Sequence, residues 1–89
     1  MASTTVTVGS TVGLHARPAT VIAEAAGGYD EDIILTLVGG DEGDETDAAS
    51  ALMIMAMGAE HGDEVTVTSD NEEAVKEIAG LIASNLDDE

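Results

Sequence analysis

Cysteine is absent from this chain of 89 residues, and so are phenylalanine and tryptophan. No disulfide framework and no thiolate site can therefore be built. Tyr29 is the only aromatic residue and Pro18 the only proline, so any core must be aliphatic. Positive charge is almost missing: Arg17 and Lys76 stand against 19 acidic residues, for a formal net charge of −17. Nucleic acid and anionic membrane surfaces are poor partners for such a chain, because phosphate contacts need Lys or Arg to displace counterions. No apolar run approaches the about 20 residues that span a bilayer. The start, Met1-Ala2-Ser3-Thr4-Thr5, lacks the basic region and apolar stretch of a signal peptide. A soluble cytoplasmic protein without membrane insertion is expected.

What the chain does have is a periodic apolar content of 44%, mostly Ala, Val, Ile, Leu and Met. High negative charge with few hydrophobes would read as disorder, but this content points to a folded core. The length fits one domain over residues 1–89, burying roughly 60–70% of its unfolded surface. An acidic surface, scarce lysine and small apolar side chains resemble the composition of proteins from extreme halophiles. At about 1 M salt the Debye length falls to roughly 3 Å and surface repulsion fades. The fold is expected to loosen at low salt.

Thr5-Val6-Thr7-Val8 alternates with strand period, and Gly9 to Gly13 reads as a loop. From Ala16, apolar residues at Ala19, Ile22, Ala23 and Ala26 mark one helix face, stopped by Gly27-Gly28. Asp32 to Val38 is β-branched and reads as a second strand. A glycine-and-acid loop spans Gly39 to Asp44, and a short third strand is placed at Glu45 to Asp47. Ala49 to Met57 reads as a short helix ending at Gly58, apolar nearly all round. His61-Gly62-Asp63 is a turn, and Glu64 to Thr68 alternates as a strand. A last helix begins near Asp70-Asn71, with Val75, Ile78, Ala79, Ile82 and Leu86 as its buried stripe. The order βαββαβα points to a two-layer sandwich of a four-stranded sheet with helices on one side.

Gly13-Leu14-His15-Ala16-Arg17-Pro18-Ala19 lies where the first strand hands over to the first helix. It holds one of two histidines, one of two basic residues and the sole proline. A helix N-terminus carries about half a positive charge and favours anions. Proline costs little in the first turn, and a guanidinium fork suits phosphate oxygens. Imidazole is nucleophilic near neutral pH, and its phosphoramidate is a reactive donor. A phosphate on His15 would thus meet Arg17 and the backbone amides of Ala16 and Arg17. Taken from the residues alone, a capping histidine beside a surface arginine stays open as well.

This segment resembles the active-site motif of the HPr family, the histidine-containing phosphocarriers of the phosphoenolpyruvate-dependent sugar phosphotransferase system. Ala49-Ser50-Ala51-Leu52-Met53-Ile54-Met55-Ala56-Met57-Gly58 resembles the family's second signature, a serine opening a short apolar helix that ends in glycine. The length, the element order and Gly62-Asp63-Glu64-Val65 are similar too. The resemblance implies an α+β fold, an open-faced two-layer sandwich with a four-stranded antiparallel sheet covered on one side by helices. It implies His15 as the residue phosphorylated on Nδ1 and Arg17 as the phosphate support. Enzyme I would be the donor and a sugar-specific IIA component the acceptor. The protein itself would be a phosphoryl carrier and no enzyme, needing no cofactor or metal, and a monomer is expected. A carrier for a dihydroxyacetone kinase system, or a regulatory module acting through Ser50, is the alternative.

Ser50 matches a serine that a regulatory kinase phosphorylates in some family members, but Ala49 stands where a basic residue often precedes it. An N-cap role for Ser50 is the favoured reading. On the short helix, spacing puts Ile54 and Met57 on one face and Ala51, Leu52 and Met55 on another. The resemblance implies that the second face is an apolar patch docking partner proteins, which methionine and leucine suit. Asp41 to Asp47 fails as a calcium loop, because Thr46 and Leu52 occupy the positions that need glycine and glutamate. Its acids have no assigned purpose. Lys76 is expected to pair with Glu72 or Glu73, and His61 to lie exposed in its turn.

Overall fold

A computed structural model describes residues 2–9, 16–39 and 45–84. The elements are β1 (Ala2–Thr7), α1 (Ala16–Gly27), β2 (Ile33–Leu37), β3 (Glu45–Asp47), α2 (Ala51–Met57), β4 (Glu64–Ser69) and α3 (Glu72–Ala83). The strands form one four-stranded sheet in the order β1-β4-β2-β3, with every pairing antiparallel. The expected α+β architecture is therefore the one observed.

Register decides which face is buried. Leu35 stands opposite both Val67 and Thr46, and Leu37 stands opposite Val65. Ile33, Leu35, Thr46, Val65 and Val67 are buried, as period-two alternation over a covered face requires. The neighbouring row of Thr5, Thr66 and Thr36 belongs to the other face. There Thr5 and Thr66 share a hydroxyl–hydroxyl hydrogen bond of 2.8 Å. The helices supply the second layer: α3 packs on β1 and β4, α2 on β3, and α1 bridges α2 and α3. Ile22, Ile54, Ile78 and Ile82 meet the strand residues in one aliphatic core.

Three local features differ from the sequence expectation. β1 begins at Ala2, earlier than the expected Thr5. Ser3, Thr4 and Thr5 are polar and exposed on an edge strand, so no hydrophobic alternation betrays them; pairing with β4 holds them. α1 ends at the predicted glycines, but through Gly28 N–H to Ala25 O and Tyr29 N–H to Ala26 O, both 3.2 Å. These tightened bonds replace a left-handed cap. α2 begins at Ala51 rather than Ala49, because Ser50 caps it.

Gly9, just past β1, meets the end of α3. Its N–H donates to Ile82 O at 3.0 Å, at the end of α3. A Cβ at this position would sit 2.0 Å from Ala83 O, so only glycine allows the strand end and the helix end to meet. At the entry to α3, Asn71 accepts from Glu73 N–H and Ala74 N–H. Glu72 and Glu73 occupy the first turn, where the helix dipole favours negative charge. The stripe of Val75, Ile78, Ala79 and Ile82 is buried, together with Ala74. Leu86, expected in that stripe, and Asp41 to Asp44 of the acidic loop lie outside the described residues.

Candidate functional site

α1 opens with Ala16-Arg17-Pro18-Ala19, and its burial alternates with the helix period. Pro18 and Ala19 point into the core, while Arg17 and Thr20 are exposed. Pro18 is the third helical residue, where a missing N–H removes no bond to a preceding turn. Its fixed φ favours the helix, and its ring contributes to packing. The first turn of α1 contains no acid, and Glu24 is the only carboxylate of the whole helix. In a chain of charge −17, the positive pole of the α1 dipole thus stands with Arg17 and without a neutralising carboxylate in its own turn.

His15 lies outside the described residues. The chain puts it immediately before Ala16, the first residue of α1.

α2 packs against α1 and carries no charged side chain at all. Its start is fixed by two caps in series. Asp47 accepts from Ala49 N–H at 3.0 Å through its carboxylate, and Ser50 Oγ accepts from Met53 N–H at 3.3 Å. Its end is Gly58 at φ +74, a left-handed position suited to glycine, with the cap N–H bonded to Met55 O. These caps set the rotation of a helix whose sequence is apolar nearly all round. Ile54 turns fully inward. Ala51, Met55 and Met57 are half-buried and pack against the core. Leu52 is 77% exposed and Met53 45% exposed, and Ala56 is exposed between them on the helix surface.

A helix whose own first turn has an exposed arginine and no acid, packed against an uncharged helix with apolar side chains in solvent, suits an anion delivered by another protein. The comparisons with known proteins agree. Residues 2–84 match the family model described as the PTS HPr component phosphorylation site. The phosphocarrier protein HPr of Streptomyces coelicolor is 36% identical over 91 residues, covering 99% of this chain and 95% of its own. That of Haloferax volcanii is 39% identical over 77 residues, covering 86% and 84%. The crystal structure of HPr-C-His from Thermoanaerobacter tengcongensis superposes with a TM-score of 0.83 at 28% identity, covering 100% of this chain and 99% of that one.

The chain belongs to the HPr family. Its function is that of a phosphocarrier in the phosphotransferase system, and its open-faced sandwich is the HPr fold.

Against the HPr pattern, the structure brings α1, which carries Arg17, against α2, which carries Ala51, Leu52 and Met55. It separates the expected docking face by exposure: Leu52 stands in solvent, while Ala51 and Met55 lean on the core. Sequence reasoning missed Met53. The signal was present in Ser50, since capping there places Met53 at the third helical position and turns Ile54 inward at the fourth. Ser50 itself is the N-cap that was favoured for it. His61 is exposed in its turn beside Gly62 at φ +91. Lys76 pairs with Glu72 at 3.7 Å on the surface of α3, a contact worth little at such exposure. No group of three or more potential ligands could hold a metal ion among the described residues. No helix there is long and apolar enough to cross a membrane.

Proposed function

We propose that His15 accepts a phosphoryl group on Nδ1 from phosphorylated enzyme I and hands it to a sugar-specific IIA component. Phosphoenolpyruvate is the ultimate donor. The imidazole nitrogen forms the N–P bond as the bond between phosphorus and enzyme I breaks, and the reverse exchange delivers the group to the acceptor. The protein is a shuttle with no turnover of its own, acting as a cytoplasmic monomer.

One observation supports the site most strongly. In sequence His15 directly precedes Ala16, the first residue of α1, and the first turn of that helix has an arginine and no acid. The amides of Ala16 and Arg17 and the guanidinium of Arg17 are the groups that would receive phosphate oxygens. Leu52, with Ala51 and Met55 at its flank, forms the docking surface in this reading. Ser50 serves as a cap. Relatives named as phosphocarriers favour this role over a regulatory module.

Incubation with enzyme I and labelled phosphoenolpyruvate tests the assignment. The wild-type chain should take label and His15→Ala should take none. Label on His15→Ala would falsify the assignment. Adding either a IIA component or a dihydroxyacetone kinase subunit then identifies the acceptor by which one discharges the carrier.

A further inference from the structure

The chain contains no cysteine, so its oxidisable sulfur is confined to methionine thioethers. Three of its four methionines, Met53, Met55 and Met57, lie on α2 at alternate positions. Alternate spacing on a helix turns successive side chains by about 200°, so neighbours in this series face different environments. Met53 is 45% exposed, whereas Met55 and Met57 pack against the aliphatic core. Beside Met53 the surface dips into a shallow depression of about 150 Å³, lined also by Glu45, Thr46, Ala56 and Met57. The depression is open to solvent on one side and holds polar as well as apolar groups. Met57 also borders this depression but is half-buried, so Met53 is the one exposed thioether of the three on α2.

We propose that Met53 is a reversible oxidation site on α2, at which a peroxide converts the thioether to the sulfoxide ahead of Met55 and Met57 while the fold is retained. The sulfur lone pair attacks one peroxide oxygen. The S–O bond forms as the O–O bond breaks, and the departing hydroxide leaves as water with the remaining peroxide proton. Sulfur loses the electron pair that the peroxide gains. The product is a polar, chiral side chain in place of a flexible apolar one, and a methionine sulfoxide reductase restores the thioether with two electrons and two protons from a dithiol, which becomes a disulfide as the oxygen leaves as water. Met53 lies next to Leu52 on the exposed arc of the helix, so the sulfoxide puts a hydrated dipole on a helix whose own side chains are all apolar. The consequence for phosphoryl transfer rests on the docking role proposed above; the oxidation chemistry does not.

The experiment treats the folded protein in molar KCl with hydrogen peroxide and maps each methionine by mass spectrometry, with Met1 scored on its own peptide. Met53 should gain one oxygen, about 16 Da, at least about fivefold faster than Met55 or Met57. Far-UV circular dichroism should be unchanged at that stage. Equal rates at the three α2 methionines, or early entry at Met55 or Met57 with loss of helix signal, would overturn the proposal. In a second arm, phosphate uptake from enzyme I is compared before and after peroxide for the wild type and for Met53→Leu, each against its own untreated sample. The wild type should slow by at least about threefold, with recovery after reductase, and Met53→Leu should hold its own rate. Equal slowing of both proteins contradicts a role for Met53 in docking. Mapping needs no enzyme I, so an untreated protein that takes no phosphate refutes the carrier role alone, and the oxidation site then stands or falls on the mapped rates.

Discussion

The hydroxyl of Tyr29 donates to the carboxylate of Glu77, tying the segment after α1 to the middle of α3. Proton loss from the tyrosine would leave two anions in contact, with Glu73 adding to the repulsion. The hydrogen bond to Glu77, then partial desolvation, then the charges of Glu77 and Glu73 hold the Tyr29 pKa above its ordinary value of 10.0. The proton is favoured in the folded state, so this contribution to stability is complete below the ordinary pKa. It is lost as the pH rises through the higher folded value. Tyr29 is the only aromatic residue, so phenolate absorbance reports it alone. Its titration midpoint should lie above that of the unfolded chain, and Glu77→Ala should bring it back down. An unchanged midpoint in Glu77→Ala contradicts the tie.

Two glycines should respond to alanine in opposite directions. Gly9→Ala places a methyl 2.0 Å from Ala83 O and should cost about 1–3 kcal/mol by forcing β1 and α3 apart. Gly80 lies exposed within α3 with nothing near an added Cβ, so Gly80→Ala should stabilise by about 0.5–1 kcal/mol through helix propensity. Denaturant midpoints in molar KCl measure both changes, and equal midpoints for the two variants would be the wrong outcome.

Leu52 is the most exposed large apolar side chain of α2, and it touches solvent more than core. Leu52→Asp should leave the unfolding midpoint within about 0.5 kcal/mol of the wild type, as surface changes do. Phosphate uptake at limiting enzyme I should fall by about tenfold, from loss of an apolar contact together with an added charge. A variant that fails to fold would make Leu52 part of the core instead.

The acids on the described surface include Glu31, Asp32, Glu45, Asp47, Glu60, Glu64, Asp70, Glu72, Glu73 and Glu77, all exposed. Their repulsion is weakly screened in dilute buffer, where the Debye length is roughly 30 Å at about 0.01 M salt. The helix signal and the unfolding midpoint should therefore rise together as KCl is increased to about 1 M, with added neutral osmolyte failing to substitute. Identical circular dichroism in dilute buffer and molar KCl would remove the salt requirement.

The elements differ in how plainly their residues announce them, for physical reasons. α3 carries every signal at once: Asn71 as cap, acids in the first turn, and an apolar stripe at helical spacing. β4 alternates cleanly because one face is core and the other is open. β1 is half hidden in the sequence, since Ser3 to Thr5 earn their place by backbone pairing to β4 rather than by burial. α2 could be located but not oriented from its apolar content, because nearly every position is apolar and periodicity then carries no phase. Ser50 and Gly58 hold that phase instead, and following the cap through to Ile54 recovers the exposed arc of Leu52, Met53 and Ala56. The candidate segment Gly13 to Ala19 stands out in the sequence for chemical reasons: the scarcity of basic residues makes Arg17 conspicuous, and proline marks a first helical turn, where Pro18 is found.

The most direct measurement is the position of the phosphate after reaction with enzyme I and phosphoenolpyruvate, read by peptide mapping at neutral pH and by its lability in acid. An acid-labile phosphoryl group confined to the peptide containing His15, transferable onward to a IIA component, is the predicted result. An acid-stable phosphate, or one located at Ser50 or His61, would contradict it.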